Sequence, residues 1–232
     1  MPLTNMFLRR EPEMPEGFEI DHSKPLNGTM AAYAEQVLIC TGKPDWPSRI
    51  EEENSGDNLA ADIKELMGRG GTYSDADFLP AVKDVKDILV LICGHGGRDV
   101  RCGIIAPILR AEFERALSAK EVQVLHGAVE VGDGSSAERL EGTIEPVGNT
   151  ARIGSISHIG GHKFAGNVIL YIPPHTKTKD GEAHPFAGCG IWYGRVEPKH
   201  VEGIVQATLL EGKVVEELFR GGIRQGGEIL RL

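Results

Sequence analysis

Residues 87–113 read DILVLICGHGGRDVRCGIIAPILRAEF, and the fold is decided here. Asp87–Cys93 is an apolar run of strand length without alternation, the pattern of a strand buried on both faces. Its end delivers Cys93 into a loop with glycines at 94, 96 and 97, and the ends of buried strands are where sites collect. Beyond the loop, Ile105, Leu109 and Phe113 recur four apart, with Arg110, Glu112, Glu114 and Arg115 turned outward. That spacing predicts an amphipathic helix with Pro107 in its first turn.

Downstream of this helix, Glu121–Val129 reads as a second strand. After a glycine- and acid-rich stretch at 130–149, strands are predicted near 151–157, 166–172 and 189–196. Pro198 then opens a helix whose apolar face is Val201, Ile204, Val205 and Leu209, and a short helix over 213–220 is stopped by Gly221-Gly222. The order β-α-β followed by β-β-α predicts an α/β fold with a thioredoxin-like mixed sheet flanked by helices.

Upstream, residues 1–33 read as an extended lead-in rich in Pro, Gly and acids. Residues 34–83 form an N-terminal α/β segment. In it, AEQVLIC at 34–40 reads as a buried strand ended by Thr41-Gly42 and Pro44. A helix follows the acidic loop 51–57, capped by Asp57 or Asn58, with Leu59, Ile63 and Leu66 on one face and Gly68, Gly70 and Gly71 as its stop. Residues 84–232 make the main domain.

Composition excludes several classes. With 25 basic and 34 acidic residues among 232, the formal charge is −9, so a general phosphate-backbone binder with a counterion-releasing basic face is not expected. Acidic proteins suit partners with basic patches. No apolar run approaches the roughly 18 residues of a membrane span. Four cysteines, at 40, 93, 102 and 189, are too few and too uneven for a disulfide scaffold and fit a reducing compartment. Glu11, Glu13, Glu16 and Glu19 in the first twenty residues argue against an intact mitochondrial presequence.

Four residues carry the chemistry. Cys93 and Cys102 flank the glycine loop, and His158 and His162 bracket Ile-Gly-Gly. Two thiolates and two imidazoles suit either zinc or an iron–sulfur cluster. A zinc knuckle places its cysteines two to four residues apart, whereas eight residues separate Cys93 from Cys102, an interval suited to a wider, two-iron object whose sulfides take hydrogen bonds from glycine amides. Gly160 and Gly161 make a helix between the histidines unfavourable, so that pair sits on a loop. His95 is the rival ligand. Lys163 is placed for electrostatic tuning or partner docking, and Arg98 and Arg101 stand either toward the site or in solvent beside Asp99. Cys40 and Cys189 read as small buried hydrophobes, and His126, His175, His184 and His200 as ordinary surface or strand residues.

Other motifs fail. GHGGRD lacks the Lys-Ser/Thr ending of a phosphate loop, and GGIRQGGE at 221–228 is no dinucleotide fingerprint. No carboxylate pair at a strand end supports glycoside hydrolysis.

ICGHGGRDVRCG at 92–103, SHIGGHKFAGNVILYIP at 157–173 and GCGIWYGRVEPKHVEGIV at 188–205, with AEQVLICTGKPDWPSRIE at 34–51, resemble the sucrase/ferredoxin-like family of thioredoxin-like ferredoxins. The resemblance implies a [2Fe–2S] cluster on Cys93, Cys102, His158 and His162, an electron carrier with redox protein partners rather than an enzyme, a mitochondrial setting and a part in thiol redox quality control. Because each ligand pair is local in sequence, a Rieske-like arrangement with both imidazoles on one iron is favoured. The competing readings are a structural zinc domain and a thiol oxidoreductase using Cys93 or Cys102, the latter without the usual Cys-x-x-Cys spacing. The word sucrase has no support in these residues.

Overall fold

A computed structural model describes residues 13–33, 36–67, 86–127 and 149–232. In chain order the elements are α1 (Leu59–Met67), β1 (Ile88–Cys93), α2 (Val100–Ala119), β2 (Gln123–Val124), β3 (Thr150–Ile156), β4 (Val168–Tyr171), β5 (Cys189–Tyr193), α3 (Val201–Ile204, continued by a wider π turn over Val205–Leu210), β6 (Phe219–Arg224) and β7 (Ile229–Leu230).

Among the described residues the strands form one sheet in the order β2-β3-β1-β4-β5-β6-β7. β1 runs parallel to β3 and antiparallel to β4, and β4, β5, β6 and β7 pair antiparallel in turn. The core β3-β1-β4-β5, with α2 joining the parallel strands and α3 following β5, is the expected βαβ–ββα arrangement.

Side chains alternate across this sheet because successive Cβ atoms point to opposite faces. Ile88, Val90 and Ile92 of β1, Val168 and Leu170 of β4, and Ile191 and Tyr193 of β5 enter the core beneath α2 and α3, where Ile105, Leu109, Phe113, Val201, Ile204, Val205 and Leu209 meet them. Leu91, Ile169, Trp192 and Ile223 enter a second cluster on the other face with Met30 and, partly buried, Tyr33. Along the β3 margin of that face α1 stands across a cavity of about 640 Å³, with Leu91, Ile156 and His158 on one wall and Leu38, Cys40, Leu59 and Lys64 on the other.

Several expectations change. The helix after the glycine loop begins at Val100, because Asp99 takes the cap by accepting from the Arg101 N–H at 3.0 Å. Pro107 therefore lies in the helix interior, and Cys102 sits in the first turn rather than in a loop. Residues 36–40 form no strand. Val37 and Leu38 are 37% and 45% exposed, Cys40 is exposed, and the segment walls the cavity instead of joining the ladder. The helix expected over 213–220 is a single turn at Glu216–Leu218 followed by β6. Gly221 and Gly222, read as a stop signal, lie inside that strand, where Gly221 passes Met30 with only 3.0 Å left for a Cβ.

At the N-terminus, Asn58 is the α1 cap, its Oδ1 accepting from Ala61 N–H at 3.0 Å. Leu59 of the expected apolar face is 57% exposed, while Ile63 and Leu66 are half-buried. The lead-in over 13–33 has no regular structure yet is tied down. Leu26 and Met30 are buried, and the N–H groups of Gly28 and Met30 donate to the Arg220 carbonyl at 2.9 and 3.4 Å. The start of the lead-in at 1–12, the first two residues of the 34–40 run, the α1 stop signal, the boundary at 83–84, the last residues of the 121–129 strand and most of 130–149 fall outside the described residues.

Phe113 is fully buried between α2 and the sheet. Phe113→Ala should lower the unfolding free energy by about 3–5 kcal/mol through lost transfer energy and a residual cavity, read as a reduced urea midpoint with an unchanged m-value.

Candidate metal centre

Cys93 ends β1, and its N–H donates to the Asn167 carbonyl at 3.0 Å. Cys102 lies in the first turn of α2, its N–H donating to the Asp99 carbonyl at 3.0 Å. Both side chains are 1% exposed and cluster with Ala165, with Phe18 and Ile159 packed against them. His158 and His162 are half-buried on the loop joining β3 to β4, with ring centroids 5.3 Å apart. Cys93 meets both the Cys102 thiol and the His158 ring. Pairwise contacts thus link the sequence-nominated residues in a chain, Cys102 to Cys93, Cys93 to His158 and His158 to His162.

Glycine at 160 and 161 permits this loop. Gly161 has φ +72°, and a Cβ there would stand 2.7 Å from an Arg220 nitrogen. Both counts exclude an ordinary side chain.

Electrostatics divide the thiols. The Cys93 thiol is pushed well below its usual range because Cys102 donates to it, helped by the His158 ring and by the N–H groups of His95 and Ile159, against a desolvation penalty. Cys102, as the donor, is driven up and keeps the proton. Within the coupled pair, the sulfur facing His158 is the one whose thiolate is favoured.

His162 Nδ1 is buried with no hydrogen-bond partner. Such orphaned groups are costly unless something else meets them. With the thiolate-favouring Cys93, this donor set fits a metal centre that draws on sulfur and imidazole nitrogen. Among the described residues no three His, Cys, Asp or Glu side chains converge as the ligands of a single ion. That geometry bears on a mononuclear site, whereas a two-iron cluster takes only two protein ligands on each iron.

The rival ligand is otherwise employed. His95 is 1% exposed. Its Nε2 faces the carbonyls of Trp46 and Pro47 at 3.1 and 2.9 Å, and its Nδ1 accepts the His158 backbone N–H at 2.9 Å. Two carbonyls at Nε2 fix the proton there, so His95 holds the His158 backbone in place.

The glycine loop also serves differently from expectation. Gly97 N–H donates to the Asp45 carboxylate at 3.0 Å, and a Cβ on Gly97 would sit 2.2 Å from the Trp46 carbonyl. The glycines let segment 45–47 dock, while the amides reaching Cys93 are those of His95 and Ile159.

Among the remaining candidates, Cys189 is buried as expected. His184 is buried, contrary to a surface reading, and is spent on the Thr208 carbonyl and Phe186 N–H. Lys163 pairs with Asp21 at 3.4 Å and lies over the Phe164 ring. Arg101 makes a two-pronged pair with Asp99, and Arg98 reaches Ser48.

Sequence reasoning missed Arg220, a buried cation beside the site, and Asn167. Arg220 donates to Thr29 Oγ1, the Thr29 and Gly160 carbonyls and Asn167 Oδ1, and burial pulls its guanidinium down to about 10. An arginine alternating with apolar residues in FRGGI was a usable signal, hidden by reading that stretch as a helix end.

The sucrase/ferredoxin-like family model matches residues 72–221. This chain belongs to that family. Similar curated members are the altered inheritance of mitochondria protein 32 of Clavispora lusitaniae, 40% identical over 133 residues (57% of this chain, 34% of that protein), and of Debaryomyces hansenii, 38% over 141 residues (61% and 38%). The protein of the same name from Meyerozyma guilliermondii is 35% identical over 139 residues (60% and 36%). The chain thus spans little more than a third of the length of these relatives. No solved structure matches.

His95→Ala should leave the His158 N–H without its acceptor and cost about 1–3 kcal/mol in urea unfolding. With Trp192 changed to Phe, Trp46 fluorescence should shift to the red, since the edge-on His95 ring 5.9 Å away is lost.

Proposed function

We propose that this sucrase/ferredoxin-like chain holds a [2Fe–2S] cluster on Cys93, Cys102, His158 and His162 and acts as a one-electron carrier. The observation carrying the reading is the meeting of a buried thiol pair with two loop histidines, one of which has an unpartnered buried Nδ1. The bound cluster would supply reversible one-electron chemistry.

The chain's own residues do the rest. Cys93 offers a favoured thiolate, and ligation releases the proton that Cys102 holds. Phe18 and Ile159 cover the sulfurs. The half-buried histidines would hold the cluster on its more exposed side, where a redox partner would dock. Two neutral imidazoles in place of two thiolates remove negative charge from the ligand set and raise the potential, which for histidine-ligated Rieske centres is about −150 to +300 mV against about −400 mV for all-cysteine plant-type clusters. A mitochondrial setting, supported by the relatives' names, and a role in thiol redox quality control belong to the same reading.

The contact between two thiols favours a second reading, dithiol chemistry, against which stands the 1% exposure of both sulfurs. One preparation separates these. Protein purified without oxygen should be red-brown, carry two irons and two sulfides per chain, and bleach with dithionite. A colourless preparation with bound zinc, or with neither metal and a reactive thiol pair, overturns the cluster.

Ligand swaps extend the test. His158→Cys and His162→Cys should retain colour with the midpoint lowered toward the all-cysteine range of about −400 mV, whereas Cys93→Ser should lose most of its iron.

A further inference from the structure

The Arg220 side chain is 2% exposed, and no carboxylate among the described residues pairs with it. Its bonds go to neutral oxygens: Thr29 Oγ1 at 3.0 Å, the Thr29 carbonyl at 3.0 Å, the Gly160 carbonyl at 3.1 Å and Asn167 Oδ1 at 2.8 Å. A buried cation without a counter-charge is expensive. Two of those acceptors belong to the proposed centre. Gly160 lies between His158 and His162, and the Asn167 carbonyl accepts the Cys93 N–H at 3.0 Å. The arginines that the sequence pointed to are differently placed, since Arg101 is neutralised by Asp99 and Arg98 is exposed.

We propose that Arg220 is the positioning and charge-balancing residue of this centre: its fixed positive charge offsets the thiolates and the electron that arrives on reduction, while its Nη1 holds the histidine loop at Gly160. The inference rests on the cluster reading above. A fixed cation near the site favours the reduced state, because the incoming electron is attracted to it. One unit charge within about ten ångströms, at an effective dielectric constant of about 20, changes a one-electron equilibrium on the order of tenfold.

The test uses the full chain, purified without oxygen, as wild type, Arg220→Met, Arg220→Lys and Asn167→Asp, with iron per chain and midpoint potential measured on each. Arg220→Met should keep iron, and its ratio of reduced to oxidised protein at the wild-type midpoint should fall about tenfold, a downward shift of about 59 mV for one electron. Arg220→Lys keeps the charge and should stay within about threefold of wild type. Asn167→Asp puts a carboxylate where Oδ1 now meets Nη1 at 2.8 Å, leaves the arginine in place, and should shift the ratio downward too. That variant carries the test should Arg220→Met not fold.

An unmoved potential in Arg220→Met or Asn167→Asp, or an equal fall in the Lys and Met variants, overturns the charge-balancing role while the cluster stands. Wild type free of iron overturns the cluster reading and this inference with it.

Discussion

β1 is hydrogen-bonded along both edges, parallel to β3 on one side and antiparallel to β4 on the other. This fixes where the chain can go next. β3 ends and β4 begins at the same end of the sheet as Cys93, with Cys93 opposite Ile156 and Ile92 opposite Val168. The connection 157–167 must therefore pass over the end of β1, and it carries both histidines. The chain leaving β1 turns at once into α2, whose first turn carries Cys102. Strand order alone brings four distant residues to one end of one strand.

The pairing also explains how much was readable. Strands β1, β4 and β5 announce themselves because both faces are buried and their residues are β-branched or aromatic. The residue types and spacing of the site were legible for a similar reason, since cysteines and histidines beside glycine are rare outside sites. Local competition obscured the rest. Asp99 caps α2 ahead of the point where apolar periodicity begins, so Cys102 looked like a loop residue. Val37 and Leu38 have the composition of a strand, but the segment lies against the sheet face and lines a cavity. Gly221-Gly222 looks like a helix stop and is instead the place where a strand gives way to Met30. Periodicity reports which residues are apolar; it does not report which neighbour will cover them.

The same ambiguity concealed the function of the glycines. In GHGGRD they read as backbone donors to a ligand, while in the fold they make room for Trp46 and Asp45 to close over His95. His95 then orients the His158 backbone through a single hydrogen bond. The loop rich in glycine is thus a docking surface for a segment some fifty residues upstream, and the centre is shaped by tertiary contacts that no local pattern encodes.

Acidity of the whole chain hides how its cations are used. Arg101 donates to the Glu19 carbonyl, Lys163 pairs with Asp21, Arg195 donates to the carbonyls of Asp21 and Lys24, and Arg220 bonds Thr29. Each of these tethers the lead-in, and the residues they hold follow in the chain after Phe18, which packs against the thiols. An irregular segment costs about 1–2 kcal/mol per residue to order, so a strap of this length stays down only if many ties act together. Carbonyl acceptors in an irregular segment are well suited to that purpose, because they are not committed to a ladder and can turn toward buried cations. The exclusion of water from the sulfurs therefore depends on a segment without a helix or strand of its own, held by positive charges from the domain it covers.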